Sequence, residues 1–384
     1  MKFALLIECI LIFTSSTKLL AQEKKCFRIE NVRIFQNGQF LEGMDVLVHG
    51  ELINQIGKKI NSDCQTIDGN GKTLLPGLVN AHVHAWIPYH LKNAVNFGVY
   101  TLQDMHSMNE TTASLKAFAD QHGYAKLYGA GYAATVQNGH GTQFGYEVPV
   151  IDGRRNCFDF VDQQIKAGVD HIKIIFEPAA ATLTLSQIDS LISRTHFYGK
   201  KAVVHVTSVA DALAVARLGA DGLVHIWRDR PMTDAEMQEI ISSGIFIIPT
   251  LSVLEKGAAY LEDKGRISKG MSEKQLLNEV LKLYKGGVTI LAGTDPPNFQ
   301  LDYGKSLHHE MALLQASGIP VADVLKSATI NPYKVYGYDY NGVEAGEKAS
   351  FFMIDGNPES DISNTENILI RWMNGKIVEE LNDY

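Results

Sequence analysis

The chain has 384 residues, 45% of them apolar, 20% charged and 9% aromatic, a composition that excludes a disordered, collagen-like or coiled-coil protein and suffices for a large buried core. Lys and Arg number 35 against 43 Asp and Glu, a formal charge of -8. No basic run provides the electrostatic footprint of a nucleic-acid binder, so no nucleic-acid partner is expected.

Residues 1–21 differ in kind from the rest. Lys2 precedes the apolar run Phe3 to Phe13, and small and polar residues lead to Leu19-Leu20-Ala21-Gln22. The run is shorter than the roughly 20 apolar residues of a membrane span. It reads as a signal peptide cleaved near Ala21, which predicts an exported protein, periplasmic or secreted, that leaves the membrane after cleavage. Cys9 lies inside the signal, leaving Cys26, Cys64 and Cys157. In an oxidising compartment Cys26 and Cys64 could pair. Unpaired buried thiols are the alternative, and the spacing matches no zinc-thiolate site.

Residues 22–75 and 341–384 share a β-rich texture. Val32 and Ile34 alternate with polar neighbours, Asn37-Gly38 supplies a hairpin turn, and Met44 to Val48 follows. Near the other end, Phe351 to Ile354, Ile368 to Met373 and Ile377-Val378 are strand-like, with a turn at Asn374-Gly375. Two such ends, each too small to fold alone, are expected to pair into one composite β-sandwich.

Between them, over residues 76–340, apolar runs alternate with helical patterns. Eight runs fall at Gly77–Val83, Val99–Asp104, Ala125–Ala130, His171–Ile175, Ala202–His205, Gly222–His225, Ile245–Ile248 and Val288–Leu291. Capping boxes at Thr233–Glu236 and Ser272–Gln275 start helices, and Leu185, Ile188, Leu191 and Ile192 form one apolar face. Eight βα units predict an α/β fold: a (β/α)8 TIM barrel with the small β-sandwich appended. The competing doubly wound sheet would carry a glycine-rich phosphate loop after its first strand, and none is present there.

The sharpest chemical feature is Asn80-Ala81-His82-Val83-His84 at the end of the first barrel run. Side chains two apart on a strand share a face, so both imidazoles could close on one metal ion. Alone, such a pair is weak, but His205 ends the fifth run, His225 the sixth, and Asp295 follows the eighth in Ala292-Gly-Thr-Asp295. All would project at the carboxyl rim, where barrel enzymes carry their chemistry. Taken singly, each could be a satisfied core histidine or a turn cap; together, three or more nitrogen donors with a carboxylate suit zinc, iron, nickel or manganese. Lys173 on the fourth run faces inward as well. Burial beside a dication would lower its pKa, and a neutral amine captures carbon dioxide as a carbamate; an ordinary salt bridge is the alternative.

These residues resemble the metal-dependent amidohydrolase superfamily, and within it the branch of imidazolonepropionase-like and exported Xaa-Pro or Xaa-Arg/Lys dipeptidase-like enzymes. The matching stretches are Leu74 to His84, Gly98 to Asp104, Asp170 to Ile174, Ala292 to Asp295, Ala328 to Pro332 and Gly342 to Ala349. The resemblance implies that His82 and His84 hold the more buried metal with Asp295, that Lys173 is the carboxylated bridge, and that His205 and His225 hold a second metal. Two divalent ions, zinc first, are therefore expected, with carbon dioxide consumed as the Lys173 carbamate. Asn80, where many members have Asp, and the stretch after His205 depart from the pattern and keep a one-metal site open.

The expected activity is hydrolysis of small-molecule amide C–N bonds, such as those of dipeptides or N-acyl amino acids, by water activated at the metal, with Asp295 as general base and then acid. A deaminase or cyclic-amide hydrolase on the same site is the second reading, and a scaffold without catalysis a remote third. Gly139-His140-Gly141 resembles a substrate-loop histidine, so His140 could donate to the developing oxyanion. Tyr89, His90, His106, Tyr128 and Trp227 are candidates to shape the pocket, and His308, His309 and Glu310 are expected on a solvated face or as outer supports. Oligomeric state is left open.

Overall fold

The computed structural model describes residues 26–152, 155–264, 270–339 and 342–379; the expected signal segment, 1–21, lies outside the described residues. Five strands open the chain: β1 (Cys26–Gln36), β2 (Gln39–His49), β3 (Leu52–Gly57), β4 (Gln65–Asp68) and β5 (Lys72–Pro76). The β1–β2 hairpin turns at Asn37 and Gly38, with φ of 50° and 77°, the two left-handed residues that a tight hairpin requires.

The barrel follows as β6 (Leu78–Val83), β7 (Val99–Asp104), β8 (Lys126–Gly129), β9 (Ile172–Ile175), β10 (Ala202–His205), β11 (Gly222–Val224) and β12 (Phe246–Ile248). They form two parallel arcs, β6-β7-β8 and β9-β10-β11-β12. A parallel bridge between Ala134 and Ile174 joins the arcs on one side, with Ala134 N donating to Lys173 O at 2.8 Å. On the other side, the eighth run is reduced to one bridge, Ile247 to Ile290. It still closes the ring, because Leu291 N donates to Ile247 O (2.9 Å) and Ala81 N to Ala292 O (2.9 Å). The run is cut short at Gly293, where a Cβ would stand 2.8 Å from the His82 nitrogen and 2.6 Å from Ile248 Cγ2, so only glycine admits so close a passage.

Alternate strand residues fill the barrel: Ala81, Met105, Val203, Val224, Phe246, Ile248 and Leu291. Helices cover the outside. Capping boxes start those at Asp234–Ser242 and Glu273–Lys285, and a third, Thr184 with Gln187, starts Leu185–Phe197. That last helix buries Ile188, Leu191, Ile192 and Thr195, whereas Leu185, expected on the same face, is 45% exposed because it sits next to the cap, short of the packed turn.

The chain ends in β13 (Phe351–Asp355), β14 (Ile368–Met373) and β15 (Lys376–Ile377). These join the opening strands in one curled sheet of order β15-β14-β13-β5-β1-β2-β3, with β4 also on β1. Backbone bonds from Ile53 N to Glu347 O (2.8 Å) and Gly346 N to Ile53 O (2.7 Å) fold it over a core of Ile29, Ile34, Val46, Phe351 and the fully buried Trp372. Cys26 and Cys64 form a disulfide with Cα atoms 5.3 Å apart, and Cys157 is free and buried. Among the described residues no helix is long and apolar enough to cross a membrane.

Candidate metal centre

The end of β6 and the segment after the eighth run are laced together by backbone. Asp295 N donates to His82 O (2.8 Å) and His84 N to Pro296 O (2.9 Å). Asn80 completes the seam: its amide donates to Thr294 Oγ1 (2.7 Å) while its oxygen accepts from Thr294 N (3.1 Å) and His82 N (3.3 Å). Through these three contacts Asn80 fastens β6 to the segment that carries Asp295. As a result Asp295 Oδ1 lies 3.2 Å from His82 Nε2 and 3.0 Å from His84 Nε2.

His225, just past β11, brings its ring centroid within 5.2 Å of His82 and 4.8 Å of His205, which ends β10. Donor atoms of His82, His225 and Asp295 lie within 4.8 Å of one another. His225, Thr250 and Asp295 hold left-handed backbones, with φ of 66°, 51° and 63°. Each such non-glycine residue costs on the order of 1–3 kcal/mol, strain of a kind that gathers at functional rims.

The rings are oriented from behind. His84 donates from Nδ1 to the His106 carbonyl (3.2 Å), and His225 Nδ1 pairs with Thr250 Oγ1 (2.6 Å), so their Nε2 atoms are free to face inward. His106 is itself held: Nδ1 accepts from Ala133 N (2.9 Å) and Nε2 donates to Gly141 O (2.9 Å). Tyr303 hydroxyl donates to His84 O at 2.6 Å.

Burial sets the charges. It pulls His82 down to about 3 and His225 well below the ordinary value, so both are neutral. Burial also opposes the charge on His84, but hydrogen bonding and attraction to Asp295 outweigh it and raise its pKa. Asp295 meets the same burial penalty, which the His82 and His84 imidazoles overcome, holding it well below the usual carboxylate range. Desolvation brings the Lys173 amine down to about 7, against the pull of Asp295.

Among the described residues, Lys173 Nζ and His205 Nε2 are buried at this point without a hydrogen-bond partner. Leaving such atoms buried and unpaired costs about 1–3 kcal/mol each, more for charged groups. Neutral imidazoles, a carboxylate and an amine able to become a carbamate are the donor set of a borderline divalent cation, and that cation would satisfy the orphaned atoms. The residues fit the metal that the sequence implies.

A cavity of about 1110 Å³ opens over these side chains. Of the expected pocket residues, His106 and His140 line it, and His140 stacks on His205 with centroids 4.8 Å apart. Four do not line it. Tyr128 stacks on Tyr338 at 3.7 Å, Trp227 is buried with its indole donating to Glu279 (3.1 Å), His90 stacks on Tyr303 at 4.0 Å, and Tyr89 is surface-exposed. Tyr128, Trp227 and His90 are drawn into packing that the cavity does not offer. His308 and Glu310 are buried rather than solvated, His308 between Thr365 and Phe97. Glu310 accepts from Leu251 N (2.9 Å), Ser252 N (2.7 Å) and Ser252 Oγ (2.7 Å), pinning the start of the cavity-lining helix Leu251–Asp263. Sequence reasoning missed Glu177, two residues past β9, whose Oε2 lies 3.5 Å from His205 Nε2 and accepts from Thr207 Oγ1 at 3.0 Å. A carboxylate on the loop after the Lys173 strand was its available signal.

A parallel barrel with histidines and an aspartate gathered at its carboxyl rim is the setting of a metal-dependent enzyme. The chain belongs to the amidohydrolase family, whose model matches residues 73–378. Among curated relatives, it is 24% identical over 381 residues to the 5-methylthioadenosine/S-adenosylhomocysteine deaminase of Dictyoglomus turgidum, covering 86% of this chain and 84% of that protein. Among solved structures, a Xaa-Pro dipeptidase with methionine bound in its active site superposes with a TM-score of 0.78 at 22% identity, covering 92% of this chain and all (100%) of that one. Molinate hydrolase superposes with a TM-score of 0.76 at 16% identity, covering 93% and 95% of the two chains.

Proposed function

We propose that this is an exported, binuclear metal hydrolase that cleaves the C–N amide bond of small acyl compounds, with dipeptides and N-acyl amino acids the first class to test. The observation that carries the reading is the convergence of His82, His84, His225 and Asp295 around orphaned buried donor atoms, with the unpartnered Lys173 amine beside them.

His82, His84 and Asp295 would hold one ion, His205 and His225 the other, and Lys173 would bridge them as a carbamate. In forming it, the neutral amine adds to carbon dioxide, an N–C bond forms and one N–H proton leaves to solvent. A divalent ion so placed supplies Lewis acidity toward the scissile carbonyl and lowers the pKa of water toward neutrality. The chain's own residues do the rest. Asp295, with Oδ1 turned to the histidines, takes the proton of the attacking water on Oδ2 and returns it to the leaving nitrogen, base first and acid second. His140, half-buried at the cavity wall beside His205, donates to the carbonyl oxygen as it gains charge. The Cys26–Cys64 disulfide supports export to an oxidising compartment.

The relative from Dictyoglomus turgidum favours a second reading, a deaminase on the same site. Product analysis separates the two: zinc- or manganese-loaded mature protein is given dipeptides, N-acyl amino acids, lactams and aminopurines. Release of amine and acid supports amide hydrolysis; release of ammonia supports the second reading, and no turnover across the panel overturns both.

A further inference from the structure

The helix Leu251–Asp263 starts beside the metal centre and runs away from it. Thr250, just before it, holds His225 through its hydroxyl (2.6 Å). Tyr260 lies nine residues past Leu251, about 13 Å further along the axis at roughly 1.5 Å per residue. The face this helix turns to the cavity is apolar: Leu251, Leu254, Gly257 and Ala258 all line the wall, at the three- and four-residue spacing of one helical stripe. Glu255, next to the stripe, is paired with His309 (2.5 Å). At the outer end Tyr260 and Phe299 face each other with ring centroids 5.7 Å apart, and they are 52% and 46% exposed. Phe299 is held there against backbone preference, because it and Gln300 have φ of 49° and 60°, left-handed values that non-glycine residues adopt only at a cost. Gly257 admits the ring: a Cβ there would stand 3.1 Å from Phe299 Cε2. The wall about His205 is polar by contrast, with His140 stacked on it at 4.8 Å and Thr207 two residues further on. The cavity is therefore amphiphilic, polar at the metal and apolar along a trough that leads out to two exposed rings, and an apolar surface of this kind marks a ligand groove.

Resting on the amide-hydrolase reading above, we infer that the trough along Leu251–Asp263 takes a linear alkyl chain, so that the preferred substrates are amino acids acylated by a fatty acid of about ten carbons, cleaved to the free fatty acid and the amino acid. Length selects the chain. An extended alkyl chain advances about 1.25 Å per carbon, given a C–C bond of about 1.5 Å, so about ten carbons reach from the metal centre to the Tyr260–Phe299 pair. An acetyl group would end beside Leu251 and leave the stripe and both rings uncovered. The polar amino-acid half falls at the polar wall, where His140 and Thr207 stand.

The test measures kcat/KM of the metal-loaded enzyme on N-acyl alanines that differ only in the acyl chain, acetyl, butyryl, octanoyl, decanoyl and tetradecanoyl, each below its micelle concentration. From butyryl to decanoyl, every added methylene should raise kcat/KM by about two- to fourfold, up to the value of a fully buried CH2, and the rise should stop beyond decanoyl, where the trough ends. Ala258→Phe, which obstructs the stripe midway, should cut the decanoyl-to-butyryl ratio by about tenfold or more with metal content retained, and Phe299→Ala, a change at an exposed side chain, should cut it several-fold. In metal-free protein, decanoate should displace dansyl-undecanoic acid, read by its fluorescence, at a concentration at least about tenfold lower than butyrate requires. A flat chain-length series or a preference for acetyl in the wild type, which needs no variant to fold, overturns the inference while leaving amide hydrolysis standing. So does an unchanged ratio in both variants, or equal displacement by the two acids. Absence of turnover on every amide overturns the parent reading and this inference with it.

Discussion

Lys173 offers the deepest check on the electrostatics, because the residue is only 3% exposed and its nitrogen has no hydrogen-bond partner among the described residues. Burial brings its pKa from 10.5 to about 7. About half the molecules then carry a neutral amine at pH 7, against roughly one in 3,000 for an ordinary lysine, so the fraction able to add carbon dioxide rises by about a thousandfold. Because the native pKa lies below the unfolded one, the unfolded chain holds more protons between pH 7 and 10.5, and the metal-free protein gains stability as pH rises through that window. The gain is at most about 5 kcal/mol, at about 1.4 kcal/mol per pH unit. Lys173→Met keeps most of the stem and removes the charge. Urea unfolding of metal-free protein at pH 7 and 9.5 should show wild type gaining a few kcal/mol relative to the variant over that interval. Loaded with metal, the variant should hold about one ion and turn over slowly, with partial rescue by millimolar acetate or propionate. Parallel pH slopes together with wild-type metal content and kcat would refute the reasoning.

Asp295→Asn should retain metal yet lose about 100- to 10,000-fold in kcat, the contribution of proton transfer; a kcat like that of wild type would exclude Asp295 as the base. Glu310→Ala strips the acceptor from three donors at the start of the helix Leu251–Asp263 and should cost about 1–3 kcal/mol in denaturant unfolding, an effect that an unchanged midpoint would contradict. Reducing the Cys26–Cys64 disulfide, which spans 38 residues, should lower stability by about 4 kcal/mol if the cross-link acts through chain entropy; equal unfolding midpoints with and without reductant would show that it does not. Removing metal with a chelator should abolish activity and lower Tm, both restored by zinc or manganese, because an ion bound only by the folded chain adds its binding free energy to stability.

The strands and metal-type residues were legible because their signals are local. Apolar runs ending in His84, His205 and His225 announce both a parallel strand and what lies past its carboxyl end. The hairpin turns at Asn37-Gly38 and Asn374-Gly375 were readable for the same reason, with φ of 50° at each asparagine and 77° and 73° at the glycines. What the sequence concealed depends on contacts distant along the chain. The eighth run survives as one bridge because Gly293 and the left-handed Asp295 turn the backbone out against His82. Tyr128 and Trp227 sit near strand ends but were claimed by Tyr338 and Glu279, from 210 and 52 residues away. Glu310 fits a solvated face or an outer support equally well by sequence, and only folding shows the helix start that it caps. Glu177 escaped notice since no spacing rule links it to His205 or Thr207.

Six side chains sharing divalent metal are the core of the proposed chemistry, and elemental analysis of gel-filtered protein, purified without chelators and exposed to zinc or manganese, measures this directly. About two equivalents per chain are predicted for the wild type, about one for His205→Ala and close to none for His82→Ala. A wild-type content below about 0.2 equivalents after loading would contradict the account at its base.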